Sequence, residues 1–440
     1  MLKKKKVLLG LASAVILILI VLSLPPVWSR VSYHLQQAYS SVKYTLFPPQ
    51  ESVFVPGGAE GDFVATSVAA TLQSIYATPT PAPATPTGFP TPGVSLTPSP
   101  TPTALPASIY LAGVVPEPQL WNNCGPATLS MNLSFYDWDK TQVDTAAILK
   151  PNDRDKNVMP YEMEYYVNSF TSLQALYRMG GDLATLKNLV ANGYPVLVEK
   201  GFEPVNLKKE GWMGHFNLVI GYDDAKGVLI TQDSYLLTHD DYTGSQPGYE
   251  VTYEDMVNNW RAFNYVFLVV YPPDKQNDVL NALGPLADDA SADRAAYDRA
   301  MAETSSLSDV RDLFFAWYNA GTSLVNLEDY TGAAEAFDMA FSIYPDIPDA
   351  ARPWRMLWYQ TGPYFAYYYT GRYQDVIDLA TQTLKDMSEP VLEESFYWRG
   401  ISYLALGDRN AAITNFSQSV NVHPGFPPAV AMLKQLGQID

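Results

Sequence analysis

The sequence predicts a chain in three parts. An N-terminal transmembrane helix and a Thr/Pro-rich linker lead to an α+β domain of helices and antiparallel sheet, and an all-α solenoid follows. Three observations predict this. Four consecutive lysines, Lys3 to Lys6, precede an uncharged apolar run over residues 7–24. Between residues 107 and 273, helix-patterned segments come first and β-branched, aromatic segments come after, the order of an α+β domain. Beyond residue 307 a spacing of small and aromatic residues returns, which marks stacked helical repeats.

The 440 residues give room for two or three domains. With 46 acidic against 28 basic side chains the formal charge is -18. Nucleic-acid binding is therefore not expected, because it needs dense Lys/Arg to displace counterions. A single cysteine excludes a disulfide scaffold and any multi-cysteine metal centre. The four histidines, His34, His215, His239 and His423, leave few ways to build an imidazole-rich metal site. No cofactor and no metal are expected.

Residues 1–30 read as a membrane anchor. At ~1.5 Å per residue the run 7–24 makes a helix about 27 Å long, close to the ~30 Å hydrocarbon core. Trp28 and Arg30 stand where an interfacial anchor would stand. The lysines stay cytoplasmic, so the rest of the chain is expected on the extracytoplasmic side of a cell membrane. The rival reading is a cleaved signal peptide, but no small-x-small site follows the apolar run. Either way the protein is exported.

Residues 31–77 form a juxtamembrane segment that opens with a helical pattern over 31–46. Residues 78–106 hold ten prolines, eight threonines and no charge. Repeated Thr-Pro forbids a helix and favours an extended, disordered polyproline-type spacer, often O-glycosylated in exported proteins.

Within 107–273 the sole cysteine, Cys124, lies in Asn123-Cys124-Gly125-Pro126-Ala127 at the start of a predicted helix. The unpaired N–H groups and positive dipole end there stabilise a thiolate. Helices are predicted over 143–149, 161–170 and 182–192, then strands over 195–199, 215–222, 227–233 and 265–271. His215 begins the second strand and Asp233 ends the third, after a short hairpin at 223–226. A strand start and the next strand's end lie side by side in such a hairpin, so the two can pair. A cysteine nucleophile needs that arrangement of a base and an orienting carboxylate.

Three motifs in order, Gln119 with Asn123-Cys124-Gly125-Pro126-Ala127, Gly214-His215-Phe216 with Gly221-Tyr222-Asp223-Asp224, and Gln232-Asp233-Ser234, resemble the papain-like cysteine peptidases of the bacteriocin-processing, double-glycine leader family, in stand-alone form. The resemblance implies a papain-like domain hydrolysing peptide bonds, with Cys124 as nucleophile, His215 as base, Asp233 as orienting acid and Gln119 stabilising the oxyanion. The glutamine stands five residues before the cysteine where the family places it six, so Asn122 and Asn123 remain alternative donors. No transporter or ATPase portion is expected, and export coupling is not implied. His239, in a loop with Thr238, Asp240 and Asp241, reads as a solvated polar face.

Residues 274–306 read as a helical connector and 307–440 as tetratricopeptide repeats. Trp317, Gly321, Leu324, Ala333, Phe337, Ala340 and Pro345 reproduce the repeat spacing, and Phe396, Gly400, Tyr403, Ala412, Phe416, Ser419 and Pro424 return it. Gly371, Arg372 and Tyr373 mark a degenerate middle unit with an insertion. Small residues let paired helices approach, and Phe337 and Phe416 fill the seam. Such an array offers a surface to a peptide or protein partner, for which the aromatic cluster at 364–369 is a candidate. The plainer alternative is that it caps the preceding domain.

The expected function is an exported, membrane-anchored cysteine peptidase acting on a peptide or protein substrate. Two other classes stay open on sequence: a peptide-binding module without turnover, and a scaffold in which the repeats do the work.

Overall fold

The computed structural model describes residues 25–46, 54, 56, 105–152, 154, 157–203, 211–238, 247–387 and 389–440. The apolar run 7–24, almost all of the linker 78–106, and His239 lie outside the described residues. Among the described residues no helix is long and apolar enough to cross a membrane. The juxtamembrane helix α1 (Pro25–Leu46) is present and longer than expected. Its Tyr33 meets Trp121 edge-on, ring centroids 5.8 Å apart.

The next elements are β1 (Ser108–Tyr110), α2 (Cys124–Ser134), α3 (Gln142–Leu149), α4 (Pro160–Phe170), β2 (Gln174–Arg178), α5 (Leu183–Ala191), β3 (Val196–Phe202), β4 (Met213–Asp223), β5 (Val228–Gln232), β6 (Tyr249–Thr252), α6 (Tyr253–Trp260) and β7 (Phe267–Tyr271). Each expected helix and strand is there, with ends shifted by a few residues. The ends have local causes: Thr141 and Asp144 form a capping box on α3, Asp182 caps α5, and Pro160 opens α4 at a position where a missing N–H costs nothing. Three short strands, β1, β2 and β6, were not legible; each holds five residues or fewer and takes its place by pairing with a neighbouring strand.

One antiparallel sheet runs β2-β7-β3-β4-β5-β6, with β1 on the far end of β4. On one face α2 and α4 bury Leu129, Met131, Leu133, Met163 and Val167 against Leu197, Phe216, Leu218 and Leu268. On the other, Leu186, Leu189, Val190, Met256 and Trp260 cover Val196, Val198, Val219 and Phe267. β7 is buried along its whole length, which is why it reads as an unbroken apolar run.

The helical half comprises α7 (Gln276–Leu283), α8 (Asp289–Ser306), α9 (Val310–Asn326), α10 (Tyr330–Ile343), α11 (Met356–Tyr359), α12 (Gly362–Tyr369), α13 (Tyr373–Asp386), α14 (Glu393–Ala405), α15 (Arg409–Val422) and α16 (Pro427–Gln435). The connector is thus the helix pair α7–α8, and hairpins α9–α10, α12–α13 and α14–α15 stack after it. A Cβ on Gly321 would stand 2.7 Å from the ring of Phe337, and one on Gly400 the same distance from Phe416. The small residues do set the helix spacing. The insertion expected in the middle unit is the segment 344–361, which includes α11. Of the aromatic cluster, Tyr364 and Tyr367 belong to the core rather than to an open surface. Both are fully buried, with hydroxyls bonded to Thr383 and Asp338.

The two halves share a core. Trp212 stacks on Phe263 and meets Tyr359 edge-on. Buried Arg261 pairs with Glu303 and Asp312. The Asn319 amide donates to the Arg261 carbonyl, Arg355 to the Trp212 carbonyl, and Gln360 to the Ala262 carbonyl, each at 2.7 Å. These bonds satisfy backbone carbonyls that burial would otherwise leave unpaired.

Candidate active site

Cys124 is the first residue of α2, half-buried, with its own N–H among the unpaired donors of the helix start. A Cβ on Gly125 would come 2.8 Å from Met163 Cε and 3.3 Å from Val158. The absence of one lets this helix end press against the start of α4.

His215 enters from β4. Asp233 follows β5, where the register pairs Leu218 with Gln232, so it stands diagonally across from His215 on the same face. His215 Nε2 lies 2.8 Å from Asp233 Oδ1, and both side chains are buried. The other ring nitrogen remains for the Cys124 thiol, with which the ring is hydrogen-bonded. The structure therefore brings together the three residues singled out in the sequence.

The electrostatics favour an ion pair. Burial alone would raise the Cys124 thiol; the His215 ring, the Phe216 N–H and the Lys150 ammonium outweigh it and hold the thiol below its ordinary value. Burial would lower His215, but the Asp233 carboxylate and the Cys124 thiol push it up to about 9. Burial would likewise raise Asp233; His215 and, further off, Lys200 hold it well below the usual carboxylate range. The Tyr235 and Leu236 N–H groups donate to Asp233 Oδ1 at 2.9 and 3.1 Å. Asn217 turns its amide toward the same carboxylate without closing a full hydrogen bond. Asp223 and Asp224 lie elsewhere: Asp223 accepts from the Ala225 N–H, and Asp224 pairs with Lys187 and the Tyr253 hydroxyl.

Gln119 is fixed by Ser234, the residue after Asp233. Its N–H donates to the Ser234 carbonyl and its Oε1 accepts from the Ser234 hydroxyl, both at 3.0 Å. Its amide Nε2 is thereby left to donate to an incoming acceptor. The short spacing to Cys124 is absorbed by a tight turn: the Asn123 N–H donates to the Leu120 carbonyl at 3.2 Å, and Asn122 adopts φ 51°. That left-handed conformation is one asparagine tolerates. Asn123 is not aimed at the thiol's neighbourhood; it is buried and donates to Gln142 Oε1 at 2.8 Å.

Two positioning residues escaped the sequence reading. Gln142 accepts from the Leu120 N–H and the Asn123 amide, and donates to Glu117 and the Pro118 carbonyl. One side chain thus holds the whole loop before Cys124. Nothing in the local pattern marks it, because its partners lie 19 to 25 positions away. Ser234 lies in the stretch Gln232-Asp233-Ser234, and its role becomes visible only once the end of β5 meets the Gln119 loop. Among the described residues no cluster of three or more His, Cys, Asp or Glu could hold a metal ion.

Residues 111–267 match the model of the Peptidase_C39 like family, and residues 394–425 match a tetratricopeptide repeat. The chain thus carries a C39-like peptidase domain followed by a tetratricopeptide repeat. Among solved structures, it is similar to a putative C39-like peptidase from Bacillus anthracis, with TM-score 0.28 and 15% identity over 37% of this chain and 96% of that one. It is also similar to YrrB, a TPR protein with an unusual peptide-binding site, with TM-score 0.26 and 17% identity over 37% of this chain and 84% of that one. No curated protein matches it.

Proposed function

We propose that the chain is an exported, membrane-anchored thiol hydrolase of peptide bonds. The observation that carries the chemistry is the buried His215 ring between Asp233 Oδ1, 2.8 Å away, and the Cys124 thiol. In this reading the Cys124 thiolate attacks the substrate carbonyl carbon, forming the C–S bond. The oxyanion that results is met by the Cys124 backbone N–H and by Gln119 Nε2. Protonated His215 then gives its proton to the departing amine as the C–N bond breaks. That leaves a thioester and a neutral imidazole, which takes a proton from water as the water attacks. The thioester breaks to release the acid product and restore the ion pair. Asp233 holds the ring and balances the imidazolium charge. The anchor reading rests on Lys3 to Lys6 and the run 7–24. The helical repeats are read as a surface for a protein or peptide partner.

The test is a peptidyl electrophile that mimics an acyl donor, compared on the wild-type chain and His215→Ala. Labelling confined to Cys124 and at least about a hundredfold slower in the variant supports the reading. Equal labelling of both would leave a binding module without turnover.

A further inference from the structure

We infer that the cavity between the sheet domain and the helical half is a substrate subsite for a lysine or arginine side chain, with Glu199 as its counter-ion; this rests on the peptidase reading above. The cavity has a volume of about 350 Å³. Tyr161 and Tyr177 line it from the sheet domain, and Glu328, Tyr359 and Phe365 from the helical half. Two of its lining residues are glutamates, and none of the described ones is lysine, arginine or histidine.

Glu199 is 3% exposed, yet no ion pair or side-chain hydrogen bond joins it to another described residue. A carboxylate buried in this way is costly unless a cation joins it. Its place relative to the thiol is set by the sheet. Glu199 is paired with Phe216 across β3 and β4, and the Phe216 N–H is the one that reaches Cys124. The charge of Cys124 is felt both at Glu199 and at Tyr359 on the cavity's other wall. Burial and the nearby thiolate hold the Glu199 carboxyl well above its ordinary value. A neutral acid there gives up its proton when a cation arrives. An ammonium or guanidinium supplies that charge, and the aromatic walls add attraction through their ring faces. A substrate carboxylate would meet two acids, and an apolar side chain would leave Glu199 without a partner. The specificity assigned here is therefore built jointly by β3 and by the helices.

The test uses peptidyl electrophiles with arginine or its neutral isostere citrulline at the positions flanking the reactive carbon. Labelling of Cys124 is timed on the full chain and on Glu199→Gln. The arginine probe should react on the order of tenfold faster or more on wild type, from a charge-assisted hydrogen bond, and Glu199→Gln should erase the difference. Equal rates on wild type, or a preference surviving in Glu199→Gln, would overturn the inference while leaving the peptidase reading intact. Should no peptidyl probe react, the peptidase reading fails. Calorimetric binding of acetyl-arginine amide against acetyl-citrulline amide to the Cys124→Ala chain then still decides the subsite: a preference for arginine upholds it, equal binding overturns it. If Glu199→Gln does not fold, the arginine-to-citrulline ratio on wild type alone is decisive.

Discussion

Tyr359 stands where a side chain on Gly214 would have to go. A Cβ on Gly214 would lie 3.0 Å from two carbons of the Tyr359 ring and 2.7 Å from Phe263 Cζ. Gly214 immediately precedes His215, so a residue of the helical half is packed against the strand that presents the ring. Gly214→Ala should therefore destabilise the chain by about 1–3 kcal/mol through overpacking. Tyr359→Ala should relieve part of that clash, and a double-mutant cycle in thermal or urea unfolding should show coupling of about 0.5 kcal/mol or more. Strict additivity would mean that the two halves do not meet there in solution.

The Cys124 thiol, held below its ordinary value by His215 and Phe216, should alkylate with iodoacetamide with an apparent pKa under about 8, against ~8.5 for a free thiol. A value above about 8 counts against the nucleophile assignment. Since His215 is pushed up to about 9, kcat/KM should fall on the alkaline side as pH passes that value and the imidazolium is lost. Cys124→Ser should abolish hydrolysis with almost no change in Tm.

The same pair sets a pH dependence of stability. His215 is raised above its unfolded ~6.5, so its contribution is full below that pH and is lost as pH rises through about 9. Asp233 is depressed, so its contribution is present above ~3.9 and lost as pH falls through its lower folded value. Asp233→Asn should flatten the alkaline decline in Tm between pH ~6.5 and 9 and slow turnover while leaving measurable activity. Asp233→Ala should cost more rate. If neither variant alters the rate, another group orients the ring.

Gln119→Ala should lose ~10²–10³ in kcat with little change in KM, the usual cost of one oxyanion donor. Asn122→Ala and Asn123→Ala should cost less than about tenfold in rate. For Asn123, whose amide is committed to Gln142, the loss should fall on stability instead. Ser234→Ala, which removes the bond that orients the Gln119 amide, should lower kcat by less than Gln119→Ala does. A large rate loss in an asparagine variant with none in Gln119→Ala would relocate the donor.

Protease added to intact cells expressing the chain should cut within 78–106 and release the two domains, if Lys3 to Lys6 lie inside. Protection until the membrane is broken would reverse the orientation. Release without protease would favour a cleaved signal peptide.

What the sequence by itself determined about this protein is what short-range chemistry can specify. Helical patterns and β-branched, aromatic runs located the main helices and strands, and Thr141 and Asp182 cap the starts of α3 and α5 close to the expected positions. The repeat spacing was readable because Gly321 with Phe337, and Gly400 with Phe416, meet within one helical hairpin. The pairing of His215 with Asp233 was readable for the same reason, since both flank one hairpin. Only the tertiary structure decided what depends on contacts between distant segments. Gln142 holding the loop before Cys124 and Ser234 orienting Gln119 are of this kind, and so is the Asn122 turn that absorbs a shortened spacing. So is the docking of the helical half through Arg261, Trp212 and Tyr359, which leaves Glu199 lining a cavity between the two halves. A buried carboxylate or amide carries no periodicity of its own. Its meaning lies in the partners burial brings to it, and those are set by the packing of whole elements.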